Sequence, residues 1–121
     1  MAGHELDRAF AALADGTRRD IVSRLTLGDA TVGELAAPYD VSLQAISKHI
    51  RVLEVAGLVS VTADAQRRRV HLEAAALAGL VRWIERHQRA AEARLSRLEA
   101  VLANLDSPTS PNTTPTKGKT S

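Results

Sequence analysis

The sequence predicts a mainly α-helical fold with one small β-hairpin and a long C-terminal helix. Three observations carry this prediction. Apolar residues recur at helical spacing in the segments before Gly57, and beyond Gly57 they alternate with polar residues. Residues 74–105 are rich in alanine and contain no proline, as expected of one continuous helix. The length of 121 residues fits a single domain.

The first two helices are predicted from their apolar rows and from one capping residue. Leu6, Phe10 and Leu13 recur at helical spacing. Asp15 follows and suits the N-cap of a second helix, which Gly28 would end in a left-handed conformation. The inward residues of this second helix are Ile21, Val22 and Leu25.

A short third helix and a longer fourth helix follow. Thr31 and Glu34 have the spacing of a capping box, and Pro38 closes the short helix that this box begins. Ser42 can cap the fourth helix, which Gly57 ends. The inward row of the fourth helix is Ala45, Ile46, Ile50 and Leu53.

Two short strands are predicted from the alternation that begins at Leu58. A polar turn over residues 63–66 separates them, and the consecutive arginines 67–69 lie close to this turn. Most exposed charge runs are ordinary solvated turns. A basic hairpin that follows two helices joined by a tight turn is, however, typical of a wing that contacts DNA phosphate.

The long last helix carries an apolar heptad seam. A repeat of 3.5 residues keeps one face of a helix against a partner, which we expect to be a second copy of the chain. The alternative is that these residues fold back onto the first helix of their own chain and give a monomer. The predicted dimer interface comprises Leu6, Phe10, Ile84, Ala91, Leu95, Leu98 and Leu102.

The chain is expected to form one domain over residues 1–105 with a disordered tail over residues 106–121. The tail consists largely of Ser, Thr, Pro and Lys and has no large apolar residue. Such a composition cannot repay the entropy lost on folding.

The order of elements predicts a winged helix-turn-helix that binds double-stranded DNA. The fourth helix would enter the major groove and the hairpin would reach the neighbouring backbone. The candidate base-contacting residues are Ser42, Leu43, Gln44, Ser47 and Lys48. The candidate phosphate-contacting residues are Arg51, Arg67, Arg68 and Arg69. Arg18 and Arg19 could approach phosphates or pair with a neighbouring acid, and His49 is interpreted as a packing or capping group.

Residues 42–59 resemble the recognition helix of ArsR/SmtB-type repressors, with Ser47, His49 and the run Ala56-Gly57-Leu58-Val59 in matching places. Residues 13–19 resemble the entry to the second helix of that family, with Gly16 where proline is common. The resemblance implies a bacterial or archaeal regulator, usually a repressor, that binds an inverted-repeat operator as a homodimer.

The metal-site motifs of the family are missing. Residues 32–37 contain no cysteine, and on the last helix Glu85 and His87 are followed by Leu98 and Val101 where two further ligands would stand. Zinc and related metals need several converging ligands. We therefore expect no metal and no cofactor, and the small-molecule effector, the operator and the regulated genes are not specified by the sequence.

Composition and the absence of further motifs argue against several other classes of protein. The chain has no cysteine and a formal charge of +2, and it contains no apolar run approaching the ~20 residues of a membrane span. A cytoplasmic protein with no membrane partner is expected. No catalytic residues can be assigned, because phosphate-binding loops and nucleophile–base sets are absent. The alternative to a DNA-binding regulator is a winged-helix adaptor that binds proteins.

Overall fold

The computed structural model describes residues 2–106 of the chain, which form five helices and three short strands. In chain order these are α1 (Gly3–Leu13), α2 (Gly16–Leu25), β1 (Ala30–Thr31), α3 (Val32–Ala36), α4 (Leu43–Val55), β2 (Val59–Asp64), β3 (Arg67–Leu72) and α5 (Ala74–Asp106). The predicted fold class is confirmed. Helix α5 includes Asp106, the first residue of the predicted tail, and the rest of that tail lies outside the described residues.

The chain divides between Arg82 and Trp83 into two units, and the hydrophobic core lies in the first. This core is built from aliphatic side chains of α1 to α4, β2, β3, the turn between α4 and β2, and the first part of α5. As expected from the scarcity of aromatics, no Phe, Tyr or Trp is among its buried residues, which are Ala9, Ala12, Ile21, Val22, Leu25, Val32, Leu35, Ile46, Ile50, Leu53, Ala56, Leu58, Val59, Val70 and Leu80.

Three helix starts are stabilised by the side chains that the sequence predicts. Asp15 accepts a hydrogen bond from the backbone N–H of Arg18 at 3.1 Å, and this bond lowers the pKa of the Asp15 carboxyl. Thr31 and Glu34 form the reciprocal capping box at 3.1 and 2.8 Å. Ser42 accepts from the backbone N–H of Ala45 at 3.1 Å. Each such cap satisfies a backbone N–H that has no partner within its helix.

The sheet has three antiparallel strands in the order β1-β3-β2. One of its two edge strands, β1, is not predicted from the sequence. Ala30 lies opposite Val70, and Thr31 lies opposite Arg69. The β2–β3 hairpin is confirmed, with a tighter turn than predicted, because the strands reach Asp64 and Arg67. Only residues 65 and 66 lie between the strands.

An ion pair links β3 to the loop before β1. His71 Nδ1 lies 2.8 Å from Asp29 Oδ1, and both side chains are partly exposed. The hydrogen bond to Asp29, followed by its negative charge, raises the pKa of His71. This contact therefore favours the folded state most when the imidazole is protonated.

The stability that this pair contributes is expected to be lost with rising pH. Because the pKa of His71 is higher in the folded state, the contribution is complete below the unfolded pKa, near 6.5, and disappears as the pH rises through the folded value. NMR titration of the His71 ring should show the raised pKa in the wild type and in Asp40→Asn, a matched exposed carboxylate. Asp29→Asn should return it toward 6.5, and an unchanged titration in that variant would contradict the assignment.

The second unit contains the remainder of α5. Trp83 and His87 stack with ring centroids 4.1 Å apart, and His87 Nδ1 lies 2.9 Å from the Trp83 carbonyl oxygen. An apolar stripe also follows this part of the helix at alternating spacings of four and three residues. Its large members are all at least 47% exposed, and they are Ile84, Leu95, Leu98, Leu102 and Leu105.

Candidate nucleic-acid interface

The N-terminal half of α4 presents polar side chains away from the core. Ile46 and Ile50 are buried on its inner side, and this fixes the rotation of the helix. The outer side exposes four of the five candidate base-contacting residues, while Ser47 is half-buried. The four exposed residues are Ser42, Leu43, Gln44 and Lys48.

Contacts from α2 hold the short helix α3 in place ahead of α4. The Arg24 guanidinium donates to the backbone carbonyls of Leu35 and Glu34, both at 2.9 Å. It also lies 5.9 Å from the centre of the Tyr39 ring, whose hydroxyl donates to Asp20. These bonds satisfy carbonyls near the end of α3 that have no partner within so short a helix. The turn into α4 is thereby fixed against α2.

The three consecutive arginines lie on two faces of β3. Side chains alternate along a strand, so Arg68 shares the face of the buried Val70, whereas Arg67 and Arg69 share the opposite face. Arg68 Nη2 donates to Ser47 Oγ at 3.0 Å. A direct hydrogen bond therefore joins the wing to α4, and sequence reasoning missed it. The alternation of β3 is the signal that could have separated Arg68 from its two neighbours.

Arg67 and Arg69 add positive potential near the N-terminus of α3. The Thr31 backbone N–H is the main cause of the lowered pKa of Glu34, and the positive charges of Arg69 and Arg67 lower it further. Arg67 lies opposite Asp64 in the register of the hairpin. The wing thus carries basic groups on both faces, with an acid close to its turn.

The remaining arginines have different surroundings. Arg51 is largely exposed, and its guanidinium lies 3.8 Å from the Glu54 carboxylate. Arg18 donates to the Ala12 carbonyl at 2.7 Å, and Arg19 donates to the Leu13 carbonyl at 2.9 Å. These bonds cap the C-terminal end of α1, which has no basic residue of its own in its last turn. Both arginines therefore have a structural role that neither of the sequence-based alternatives anticipated.

His49, interpreted from the sequence as a packing or capping group, contacts side chains at the start of α2. Its Nδ1 lies 3.2 Å from Arg18 Nη1 and 3.8 Å from Asp15 Oδ2. The ring thereby connects the middle of α4 to the start of α2. This contact turns His49 away from the row of exposed base-contacting candidates.

Within residues 2–106, no three His, Asp or Glu side chains converge where a metal ion could be held. None of the helices described is both long enough and apolar enough to cross a membrane.

An exposed polar helix that follows a helix and a tight turn, beside a basic antiparallel hairpin, defines a winged helix-turn-helix DNA-binding domain. The profile of the helix-turn-helix domain matches residues 13–62. Over 74 residues the chain is 50% identical to the HTH-type transcriptional regulator Rv2034 of Mycobacterium tuberculosis, a match that covers 61% of this chain and 69% of that protein.

Solved structures agree with this assignment. An ArsR family transcriptional regulator, RHA00566, superimposes with a TM-score of 0.72 at 35% identity and covers 76% of this chain and 95% of its own. The homodimeric winged helix-turn-helix DNA-binding domain of Mb0332 from Mycobacterium bovis superimposes with a TM-score of 0.56 at 25% identity. This match covers 76% of this chain and 91% of that domain. The chain therefore belongs to the ArsR family of winged helix-turn-helix transcriptional regulators, and the predicted resemblance is confirmed.

Proposed function

We propose that the protein is a homodimeric repressor that binds an inverted-repeat operator through α4 and the wing. The observation that carries the proposal is the hydrogen bond between Arg68 and Ser47, because it joins the exposed side of α4 and the hairpin into one surface. A helix that fits the major groove and a basic hairpin beside it can contact bases and backbone together. Repression by occupying the operator is what the family resemblance implies.

In this proposal α4 reads base edges. Gln44 can pair bidentately with adenine, Lys48 can contact guanine, and Leu43 can touch a thymine methyl group. Ser42 and Ser47 have one hydroxyl each and supply single hydrogen bonds. Since Ser47 accepts from Arg68 in the free protein, its own hydroxyl proton is left to donate to a base acceptor.

The phosphate contacts are assigned to Arg51 and to the wing arginines Arg67, Arg68 and Arg69. All are exposed or half-exposed, and guanidinium groups match the geometry of phosphate oxygens. These contacts fix the position of the domain on DNA and carry no sequence information of their own. Affinity for any DNA should therefore fall steeply with salt.

The dimer is proposed to form through α5 and α1. The exposed stripe of α5 has the 3.5-residue period of helices that pack along their length, and Ala91 and Leu98 belong to it together with Ile84, Leu95 and Leu102. On α1, Leu6 is half-buried and Phe10 is 37% exposed. The winged helix-turn-helix domain of Mb0332 is homodimeric, which supports a dimeric state here. Residues 1–105 would then carry both DNA binding and dimerisation.

The test is binding to the DNA upstream of the protein's own gene, followed by fluorescence anisotropy against a shuffled duplex of equal length. We expect tight binding to an imperfect inverted repeat, with half-sites centred about 34 Å apart. Equal affinity for both duplexes, or no binding to either, would contradict the proposal. The second of these results would favour a protein-binding adaptor.

Replacing Gln44 with alanine is expected to relax sequence preference. The loss should be roughly 1–3 kcal/mol on the cognate duplex and much less on the shuffled duplex, because only the cognate site offers the matching base edge. Arg67→Ala provides the contrast. It should weaken binding to both duplexes by similar factors, and it should reduce the slope of log affinity against log salt concentration by about one. If Gln44→Ala lowers both affinities equally, α4 does not read bases through this residue.

A further inference from the structure

A groove of about 340 Å³ lies between α1 and α4, away from the wing. All its lining residues belong to the first unit. Aliphatic side chains form its floor, and three arginines surround it. The residues that carry the argument are Ala11, Val52 and Val55 on the floor and Arg8, Arg18 and Arg51 at the rim.

The floor is apolar surface that α4 leaves uncovered in the described chain. Val52 and Val55 are 41% and 56% exposed, although Leu53 between them is fully buried. Val52 and Val55 are three positions apart and so lie side by side on one face of the helix. Ala11 of α1 completes a concave patch whose size falls in the range of small-molecule sites, roughly 300–1,000 Å³.

The rim is positively charged. None of the eight residues that line the groove is acidic. Two carboxylates lie beside rim arginines: Glu54 is 3.8 Å from Arg51 at an exposed position, and Asp15 accepts from the backbone N–H of Arg18. Arg18 is held in place by the Ala12 and Ala11 carbonyls and by His49. A guanidinium has five N–H groups, so Arg18 retains donors for a further acceptor.

We propose that this groove binds a small amphipathic anion, with its carboxylate or phosphate on the arginines and its hydrocarbon part on the two valines. Guanidinium groups suit such head groups, and burial of the valines would drive binding of the tail. A DNA phosphate would match the rim but would leave the apolar floor exposed. The positive charge of the rim and the apolar surface of the floor therefore favour a small ligand that has both an anionic group and a hydrocarbon part.

The groove and the α1 residues assigned to the dimer lie on different flanks of α1. On α1 the buried Ala9 and Ala12 separate two flanks of the helix. Leu6 and Phe10, assigned to the dimer, lie on one flank, and Arg8 lies on the other.

Occupation of the groove would oppose DNA binding. Arg51 lines the groove and is also one of the proposed phosphate contacts, so an anion held there would compete with the operator. This step rests on the proposed function. Binding of the ligand in the groove does not depend on the proposed function, so ligand binding and competition with DNA are tested separately.

The first experiment uses octanoate as the probe and omits DNA. Methyl NMR spectra should show saturable shifts of the Val52 and Val55 signals with octanoate. Octanamide, which keeps the tail without the charge, and acetate, which keeps the charge without the tail, should each bind at least about tenfold more weakly. Equal binding of octanoate and octanamide would overturn the role of the arginines, and absence of saturable shifts would overturn the site.

Substitutions test whether octanoate binds in the groove. Arg8→Gln and Val55→Asp should each weaken octanoate binding at least about tenfold, since one removes a charge-assisted hydrogen bond and the other puts a negative charge on the floor. Leu27→Asp introduces the same charge at a residue that is 90% exposed outside the groove, and it should bind octanoate normally. Equal loss in Leu27→Asp would show that binding is not specific to the groove.

The second experiment repeats the operator titration with octanoate present. Wild-type protein should lose DNA affinity as the groove fills, and Arg8→Gln, which is outside the proposed DNA surface, should bind DNA normally and resist octanoate. Octanoate that binds in the absence of DNA but leaves operator affinity unchanged would overturn the competition. Failure of the wild type to bind any operator without octanoate would instead contradict the proposed function.

Discussion

Replacing Leu95 and Leu98 with aspartate is expected to yield a monomer whose operator affinity is at least about a hundredfold weaker. Both leucines are at least half exposed on α5 and lie in its apolar stripe. Two carboxylates placed in a helix–helix seam would have to be buried without partners, which is strongly unfavourable. A monomer contacts one half-site at a time and loses the gain in effective concentration that linkage of two sites provides, typically 10²–10⁴-fold.

The matched control is Ala93→Asp with Ala100→Asp. These exposed alanines are on the same helix and are seven residues apart, on the side opposite the stripe. The control protein should remain dimeric and bind DNA normally. Sedimentation equilibrium at micromolar concentration measures the mass of each protein. A wild type with the mass of one chain, or a Leu95/Leu98 variant that remains a dimer, would rule out the proposed interface.

Truncation of Ile50 to alanine is expected to cost about 2–5 kcal/mol of unfolding free energy. Ile50 is 1% exposed and lies one turn beyond Ile46, which is fully buried, so its removal leaves a cavity beneath α4. Single domains of this size are stable by only ~5–15 kcal/mol, and such a loss would be a large part of the total. Because the same row of residues fixes the rotation of α4, DNA affinity should fall as well.

Urea unfolding followed by circular dichroism provides the measurement. All proteins must be compared at one concentration, since the stability of a dimer depends on it. Leu27→Ala removes a similar volume at an exposed residue and should change the unfolding free energy by less than about 0.5 kcal/mol. If Ile50→Ala is no more destabilising than Leu27→Ala, Ile50 does not pack in the core as described.

Features set by neighbouring residues could be predicted from the sequence. Ser42, Asp15 and the Thr31–Glu34 pair cap the helices as expected, because a cap depends on side chains and backbone groups three residues apart. The buried row of α4 follows directly from helical spacing. The exposed side of that helix, where the candidate base contacts lie, is predicted for the same reason.

Features set by contacts between residues far apart in the chain could not be predicted from the sequence. Strand β1 has two residues, too few to show an alternation, and it exists only because β3 pairs with it forty residues later along the chain. The bonds of Arg18 and Arg19 to α1 depend on how two helices meet. The contact of Arg68 with Ser47 likewise needs the position of the wing relative to α4.

The short pairing of β1 with β3 determines which part of the wing is stiff. At Arg69 and Val70, β3 is flanked on both sides, whereas from Arg68 outward it pairs with β2 alone. A two-stranded ribbon is weakly stabilised and twists readily, so the outer hairpin is a compliant tip on a rigid base. Arg67 and Arg68 lie on the part of the hairpin that pairs with β2 alone, and the bond from Arg68 to Ser47 is exposed. If the wing contacts the DNA backbone as proposed, we expect this outer part to adjust to variation in groove width while α4 stays in place.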